Sequence, residues 1–444
     1  MKQRTETTPV QDEEAAPLIV ERDDHSVAVN DIDRDALKVL NRLHEAGHVA
    51  YLVGGGVRDL YLGKRPKDFD ISTDARPGQI RQLFRNSRII GRRFRLVQVF
   101  FHNNKIIEVS TFRCRSEYDN EGGVDVLPAN NTFGNEADDA FRRDLTINSL
   151  FYDIGNEQII DYTGGVADLD RRIIRFVGDP DRRIIRDPVR MLRAVRHAAR
   201  SDFAIEEATW QAIIRHRDKL LLCPDSRIRD ELLKDLRGGA SAAWLNFMVD
   251  SGLFAVLFPF YAEVLAEKGG DYRQLLGRLC GVIDRIHGDD GQQLPEGLLL
   301  ALLLIPWAQW CFPEMGVERK NGETYSLSRK IRDELEKRLG HLNIKRAVKE
   351  QIAALLARLN VFAAGYEEGK WQARLKRKSY FKENSQFYLL YREACGGEPA
   401  AELHINEPGR KKERVDKRPD RRKGRGPAFA RKGVRGGVFG LRKR

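Results

Sequence analysis

The segment LVGGGVRDLYLGKRPKDFD, Leu52 to Asp70, constrains this chain more than any other part of it. An apolar run breaks at three consecutive glycines, resumes as a short helical pattern, and ends on two aspartates separated by one residue. A strand that enters a glycine turn lets backbone N–H groups approach an anion closely, and the helix that follows adds donors and a favourable dipole. Gly54, Gly55 and Gly56 can therefore cradle phosphate oxygens, and Arg58 can add a cationic fork. Taken alone, a glycine triplet is more readily a tight turn beside a surface arginine. Asp68 and Asp70 change that balance. Residues i and i+2 of a strand share a face, so both carboxylates can meet one site while Phe69 turns into the core. Hard oxygen donors on one face suit Mg2+, which keeps several waters and shares its shell with phosphates.

Three further groups carry candidate chemistry. Glu108 lies in the strand-like KIIEVSTF. It is a solvent-face charge, or a third carboxylate if that strand pairs beside Asp68 and Asp70. In RRDLTINSLFYD, Arg142 and Arg143 precede Asp144, which is placed to cap a helix beginning at LTINSL and is equally a candidate active-site acid. In RDPVRMLRAVR, Asp187 before Pro188 reads as an N-cap with proline at N1. Arg190, Arg193 and Arg196 follow at every third position, a basic stripe that is either a nucleotide or RNA surface or a solvated helix face.

The chain has 444 residues and a net charge of +12, which suggests two or three domains and a polyanionic partner. The charge is concentrated at one end. Arg410 to Arg444 holds 16 Lys and Arg against 3 Asp and Glu, leaving 61 against 62 in the rest. The five cysteines are far apart and form no CxxC pair, so the sequence fits a reduced, cytoplasmic setting rather than a disulfide framework or zinc ribbon. The longest apolar run, Leu298 to Ile305, is far short of the ~20 residues that span a bilayer, so no membrane is expected.

The expected fold class is α+β. Residues 1–30 read as a flexible leader and 31–180 as a small mixed α/β catalytic domain with a sheet. Residues 181–260 and 261–403 read as two helical domains, the first for nucleotide and RNA and the second for RNA, and 404–444 as a disordered basic tail. Strands are predicted in HVAYLVGG, DFDIST, SRIIG, RLVQVFF, KIIEVSTF and, after YTGGVADLD, in IIRFVGD. Residues 114 to about 138 read as a long loop.

LVGGGVRD, KDFD, RRDLTINSL and DPVRMLRAVR, followed by RIRDELLKDL and SGLFAVLFP, occur in the order of the successive motifs of class II nucleotidyltransferases. That family contains bacterial poly(A) polymerases and tRNA CCA-adding enzymes. The resemblance implies that Asp68 and Asp70 bind the catalytic Mg2+ and that Gly55, Arg58 and Arg143 hold the triphosphate of ATP, with Gly54 beside them. It also implies that Asp144 joins the active site and that Asp187, Arg190 and Arg193 face the incoming base. Where members of the family usually carry Glu before that Asp, this chain has Arg186. Within the family, IIGRRFRLVQV and the basic tail resemble poly(A) polymerases, which implies AMP addition to RNA 3′ ends. The alternatives are a tRNA nucleotidyltransferase that adds CCA or its terminal A, and a catalytically silent RNA-binding protein.

Overall fold

The computed structural model describes residues 16–91, 95–114, 133–267, 269–288, 293–317, 321–367 and 370–400, within one compact unit, Met1–Leu403. Eight short strands form one sheet: β1 (Leu18–Val20), β2 (Ala50–Val53), β3 (Asp70–Thr73), β4 (Ser87–Ile90), β5 (Leu96–Phe100), β6 (Ile106–Thr111), β7 (Phe151–Asp153) and β8 (Gln158–Asp161). Their order is β1-β8-β7-β2-β3-β6-β5-β4. Every neighbouring pair is antiparallel except β3 and β6, which run parallel.

Alternation along the strands sorts the two faces. Leu52, Ile71, Ile107, Val109 and Val97 are buried on one face, which α1 (Arg34–Glu45) helps to cover. Helix α1 starts as its sequence requires: the Asp33 side chain accepts hydrogen bonds from the backbone N–H of Asp35 and Ala36. Its apolar positions Ala36, Val39, Leu40 and Leu43 are fully buried, each large one contributing about 1.5–3 kcal/mol. Gly47 follows at φ 80° as the turn that ends the helix. The other face carries Ser72, Ser110, Asp70 and Glu108, beside a small apolar cluster of Val53, Phe112, Ala140, Phe151 and Ile160.

Helices α2 (Gly55–Tyr61), α3 (Pro77–Leu83), α4 (Glu136–Phe141) and α5 (Gly165–Arg171) complete the sheet domain. From residue 180 the chain is almost entirely helical: α6 (Pro180–Arg186), α7 (Arg190–Ser201), α8 (Glu207–His216), α9 (Asp225–Leu236), α10 (Ser241–Asp250), α11 (Leu253–Leu257), α12 (Tyr261–Glu267), α13 (Gly269–Gly288), α14 (Glu296–Leu303), α15 (Ile305–Cys311), α16 (Asn321–Arg338), α17 (Arg346–Ala364), α18 (Ala373–Lys376) and α19 (Phe381–Ala394). Helix α14 is buried all round, which accounts for the apolar run at 298–305. Among the described residues no helix is long and apolar enough to cross a membrane.

Several expectations need correction. Leu18–Val20, placed in a flexible leader, pairs with β8 at the sheet edge, because three apolar residues can extend an exposed ladder. Residues 1–15 lie outside the described residues, as do 115–132 of the expected loop, and α4 takes up its last positions from Glu136. The strand in IIRFVGD, Ile173–Ile174 (β9), does not join the sheet; it pairs with Ala204–Ile205 (β10) from the helical region. A second small pair, Tyr366–Glu367 (β11) with Lys370–Trp371 (β12), also interrupts the helices. The basic tail from 404 lies outside the described residues.

Candidate active site

The site is built on the register of the sheet. Val53 on β2 faces Asp70 on β3, Asp70 faces Glu108 on β6, and Glu108 faces Gln98 on β5. Asp70 and Glu108 therefore project on the same side. Glu108 Oε1 accepts a hydrogen bond from Gln98 Nε2 at 3.0 Å. Asp68 lies just before β3 rather than within it, and its backbone runs alongside the glycine turn: a Cβ on Gly56 would stand 3.5 Å from the Asp68 carbonyl oxygen. The Asp68 backbone thus lies beside the glycine turn, and Asp70 follows it onto the face that Glu108 shares.

Asp70 is exposed as a residue, yet its carboxyl group is set among protein atoms at the cleft. That burial, with Glu108 and Asp68 adding negative charge and Arg143 partly opposing them, pushes its pKa up to about 6. Like charges crowding one oxygen-donor group mark a place suited to a cation. Among the described residues no three acidic, imidazole or thiol groups converge as a complete cage. Two carboxylates completed by water and phosphate oxygens match what Mg2+ ordinarily takes from a protein.

Gly54 adopts φ 71°, a conformation that L side chains rarely take. A Cβ there would come within 3.2 Å of Arg143 Nη1. Arg143 is held against the turn by four contacts. Its Nη2 donates to Asp139 Oδ2 at 2.9 Å and to Ser72 Oγ at 3.2 Å, its Nη1 donates to the Asn148 carbonyl at 3.2 Å, and its guanidinium lies 5.4 Å from the Phe151 ring centroid. Its Nε has no partner among the described residues.

Arg58 departs from expectation. It is buried, with Nε and Nη2 donating to Asp59 Oδ1 at 2.9 and 2.7 Å and Nη1 donating to Asn148 Oδ1 at 2.6 Å. Rather than standing free as a phosphate fork, its guanidinium packs across the first turn of α2, 3.4 Å from where a Gly55 Cβ would be. The His197 ring nitrogens lie 3.4 Å from Arg58 Nη1 and from Asn148 Nδ2. Burial and the Arg58 charge push the imidazole well below its ordinary range, so it is neutral at pH 7.

The predicted helix at LTINSL is a single 3-10 turn, Thr146–Asn148, flanked by Leu145. Asp144 does not cap it in the expected way: its Oδ1 accepts from the Leu145 N–H, while Oδ2 lies 2.8 Å from Arg193 Nε as an ion pair whose N–H is not aimed at the oxygen. Burial alone would raise this acid. The charges of Arg193 and Arg190 outweigh burial and hold it well below the usual carboxylate range.

Asp187 ends α6 instead of starting the next helix, because α7 begins at Arg190 with Val189 preceding it. Both oxygens of Asp187 are gripped by the fork of Arg227 on α9, at 2.7 Å each, with Arg190 Nε 3.9 Å away. The arginine stripe divides. Arg190 is deeply packed, and burial lowers its pKa. Arg193 faces Asp144. Arg196 is a core residue bonded to Glu231 at 2.5 Å and Asp235 at 2.8 Å, so it belongs to no RNA surface.

Sequence reasoning missed Asp59, Asp139, Asn148, His197 and Arg227 as parts of the site. The i,i+4 spacing of Asp139 and Arg143 was a usable signal. The others meet their partners through tertiary contacts that no local pattern announces.

Residues 50–175 match the family model described as Poly A polymerase head domain, and residues 202–265 match one described as Probable RNA and SrmB-binding site of polymerase A. Poly(A) polymerase I of Salmonella typhi is 45% identical over 258 residues, covering 56% of this chain and 55% of its own length. This chain thus spans little more than half of that relative. Poly(A) polymerase I of Escherichia coli is 40% identical over 316 residues, covering 69% of this chain and 67% of its own. The crystal structure of the Bacillus stearothermophilus CCA-adding enzyme in complex with CTP shares the fold with a TM-score of 0.60 and 28% identity, over 82% of this chain and 79% of that one. With the sheet domain matched from β2 through β9 and two thirds of the Escherichia coli relative aligned, this chain belongs to the class II nucleotidyltransferase family of poly(A) polymerases and CCA-adding enzymes.

Proposed function

We propose that this chain is a template-independent polynucleotide adenylyltransferase that adds AMP from ATP to RNA 3′ ends. The observation that carries the reading is the row Val53, Asp70 and Glu108 across three strands, with Arg143 seated against Gly54 beside it. Similarity to poly(A) polymerase I at 45% and 40% identity supports the choice of ATP.

Asp68 and Asp70 supply the hard oxygen donors that fit Mg2+, and the bound ion would make the RNA 3′-hydroxyl a better nucleophile and offset charge on the α-phosphate. The remaining work falls to the chain itself. Glycine at 54 and 55 lets Arg143 and Arg58 sit directly against the turn, where a side chain would press on either guanidinium. Arg143, already oriented by Asp139, Ser72 and Phe151, holds a fixed positive charge beside the glycine turn, where it would attract a phosphate oxygen. Arg58 is a positioning residue that fixes the helix start through Asn148.

Asp187, Arg190 and Arg193 present an acceptor and donors for the edge of the base, so protein side chains stand in for a template. Arg227 fixes the Asp187 carboxylate while each oxygen keeps a lone pair for a base amino group.

A second reading, a tRNA nucleotidyltransferase that adds CCA or its terminal A, is favoured by the fold shared with a CCA-adding enzyme. Purified protein given ATP or CTP, with either unstructured RNA or tRNA lacking its end, separates the two. Long A tracts on unstructured RNA support our reading; addition restricted to tRNA and extending to C overturns it.

A further inference from the structure

Helix α7 is attached to the sheet domain at successive turns. Arg190 Nη1 donates to the Arg143 carbonyl at 3.5 Å, and Arg193 Nε lies 2.8 Å from Asp144 Oδ2. One turn further on, His197 reaches the residues behind the glycine turn: its Nδ1 is 3.4 Å from Arg58 Nη1, and its Nε2 is 3.4 Å from Asn148 Nδ2. Residues three and four apart share a face of a helix, so positions 190, 193 and 197 form one line along α7. Arg196, beside that line, is bonded to α9 instead.

The partners fix the state of the His197 ring. A guanidinium can only donate, and the Asn148 side-chain oxygen is occupied by Arg58 Nη1 at 2.6 Å, so the Asn148 amide NH2 is what faces the imidazole. Both ring nitrogens thus meet donors. A neutral ring has one lone pair to offer and an imidazolium has none, so protonation would forfeit that hydrogen bond and set a second positive charge against Arg58. The charged donor makes the stronger bond, which places the lone pair on Nδ1 and the proton on Nε2. Arg58 is then held from three elements: by Asp59 on its own helix, by Asn148 in the 3-10 turn and by His197 on α7.

We propose that His197 is a positioning residue for the nucleotide, whose ring sets the separation between the arginines of α7 and the glycine turn so that both ends of one ATP find their partners together. It acts through Arg58 and touches neither end of the nucleotide itself. The proposal rests on the reading in which α7 faces the base and the glycine turn receives the triphosphate. Two subsites held at a matched spacing favour a ligand that spans both, and leave a ligand that fills one of them unaffected. Loss of the tie should therefore be felt by ATP and not by its phosphates alone.

The test uses the full chain. Initial rates of AMP incorporation give KM and kcat for ATP, and inorganic tripolyphosphate, which carries the phosphates without a base, gives an inhibition constant for the turn alone. His197→Phe keeps a ring in the same space but has no lone pair. Its KM for ATP should rise about threefold to tenfold, the scale of one hydrogen bond, with kcat and the tripolyphosphate inhibition constant both within about twofold of wild type. His197→Gln, whose side-chain oxygen can accept from Arg58, should return KM to within about twofold of wild type. Where the phenylalanine ring is not accommodated, His197→Leu supplies the same comparison. An unchanged KM in the apolar variant overturns the proposal. So does an inhibition constant that rises by the same factor as KM, which marks a general disturbance of the turn, or a glutamine variant as impaired as the apolar one. Failure of the transferase reading is distinguishable, because the wild-type chain would then incorporate no AMP.

Discussion

Asp70 and Glu108 stand directly opposite each other on β3 and β6, the one parallel pair in the sheet. Asp70→Asn should lower AMP incorporation by roughly 1,000-fold, the scale of removing a key charge-stabilising group, without lowering the melting temperature. Glu108→Gln should cost between about tenfold and a hundredfold, because it removes a charge beside the proposed metal donors rather than one of them. Chelation with EDTA should abolish incorporation and Mg2+ should restore it. AMP incorporation by Asp70→Asn within tenfold of wild type would falsify the assignment.

Gly54→Ala places a side chain at φ 71° and within 3.2 Å of Arg143 Nη1. We expect a loss of about 1–2 kcal/mol in stability from the backbone strain alone, together with a raised KM for ATP as Arg143 is displaced. Gly47→Ala, also at positive φ but with nothing within 4 Å of the added carbon, should show the stability loss without the KM change. Equal KM values in the two variants would disprove the link between the turn and Arg143.

Arg58→Lys tests whether this arginine acts inside the protein. A lysine cannot reproduce the simultaneous bonds to Asp59 and Asn148. The melting temperature should fall by several degrees, a loss of about 1–3 kcal/mol, in the absence of any nucleotide. A free phosphate-binding arginine would instead leave the unliganded protein's stability unaltered.

Asp235 gives the fold a pH signature. Burial, against the pull of Arg196, pushes its carboxyl up to about 7. The folded chain therefore binds this proton more tightly than the unfolded chain, so stability falls as pH rises from about 4 through about 7. Glu231, on the same arginine, is shifted downward despite its burial because Arg196 and Lys234 outweigh it, and its contribution is lost only on acidification below its ordinary value. Thermal melts from about pH 5 to about pH 8 should show a steeper decline for the wild type than for Asp235→Asn. Parallel curves would refute the shift.

Asp187→Ala should relax discrimination between ATP and CTP by roughly one to two orders of magnitude, since on the proposed reading it removes a base-edge acceptor worth about 1–3 kcal/mol. An unchanged preference, measured as the ratio of kcat/KM values, would move base selection elsewhere.

Local chemistry was legible in the sequence wherever a short range decided it. The strand before the glycines, the turn that Gly54 makes and the proximity of Asp68 to Asp70 all follow from a few adjacent residues. Legibility ended where a partner came from far away. Glu108 was left between two readings because only the parallel register sets it beside Asp70. Arg58 was read outward because Asn148, its partner 90 residues on, is brought to it by the fold. Asp187 and Asp144 looked like helix caps because proline and polar spacing are cap signals, yet tertiary ion pairs with Arg227 and Arg193 took both carboxylates. Arg196 shared the spacing of Arg190 and Arg193 and is a core residue because Glu231 and Asp235 on α9 draw it inward.

Asn148 receives Arg58 on its side-chain oxygen and Arg143 on its backbone carbonyl. The separation between two guanidinium groups that flank the glycine turn is thereby settled during folding, before any ligand arrives. Neither guanidinium can shift without straining a bond to the same residue, so a change that moves one of them is passed to the other through Asn148.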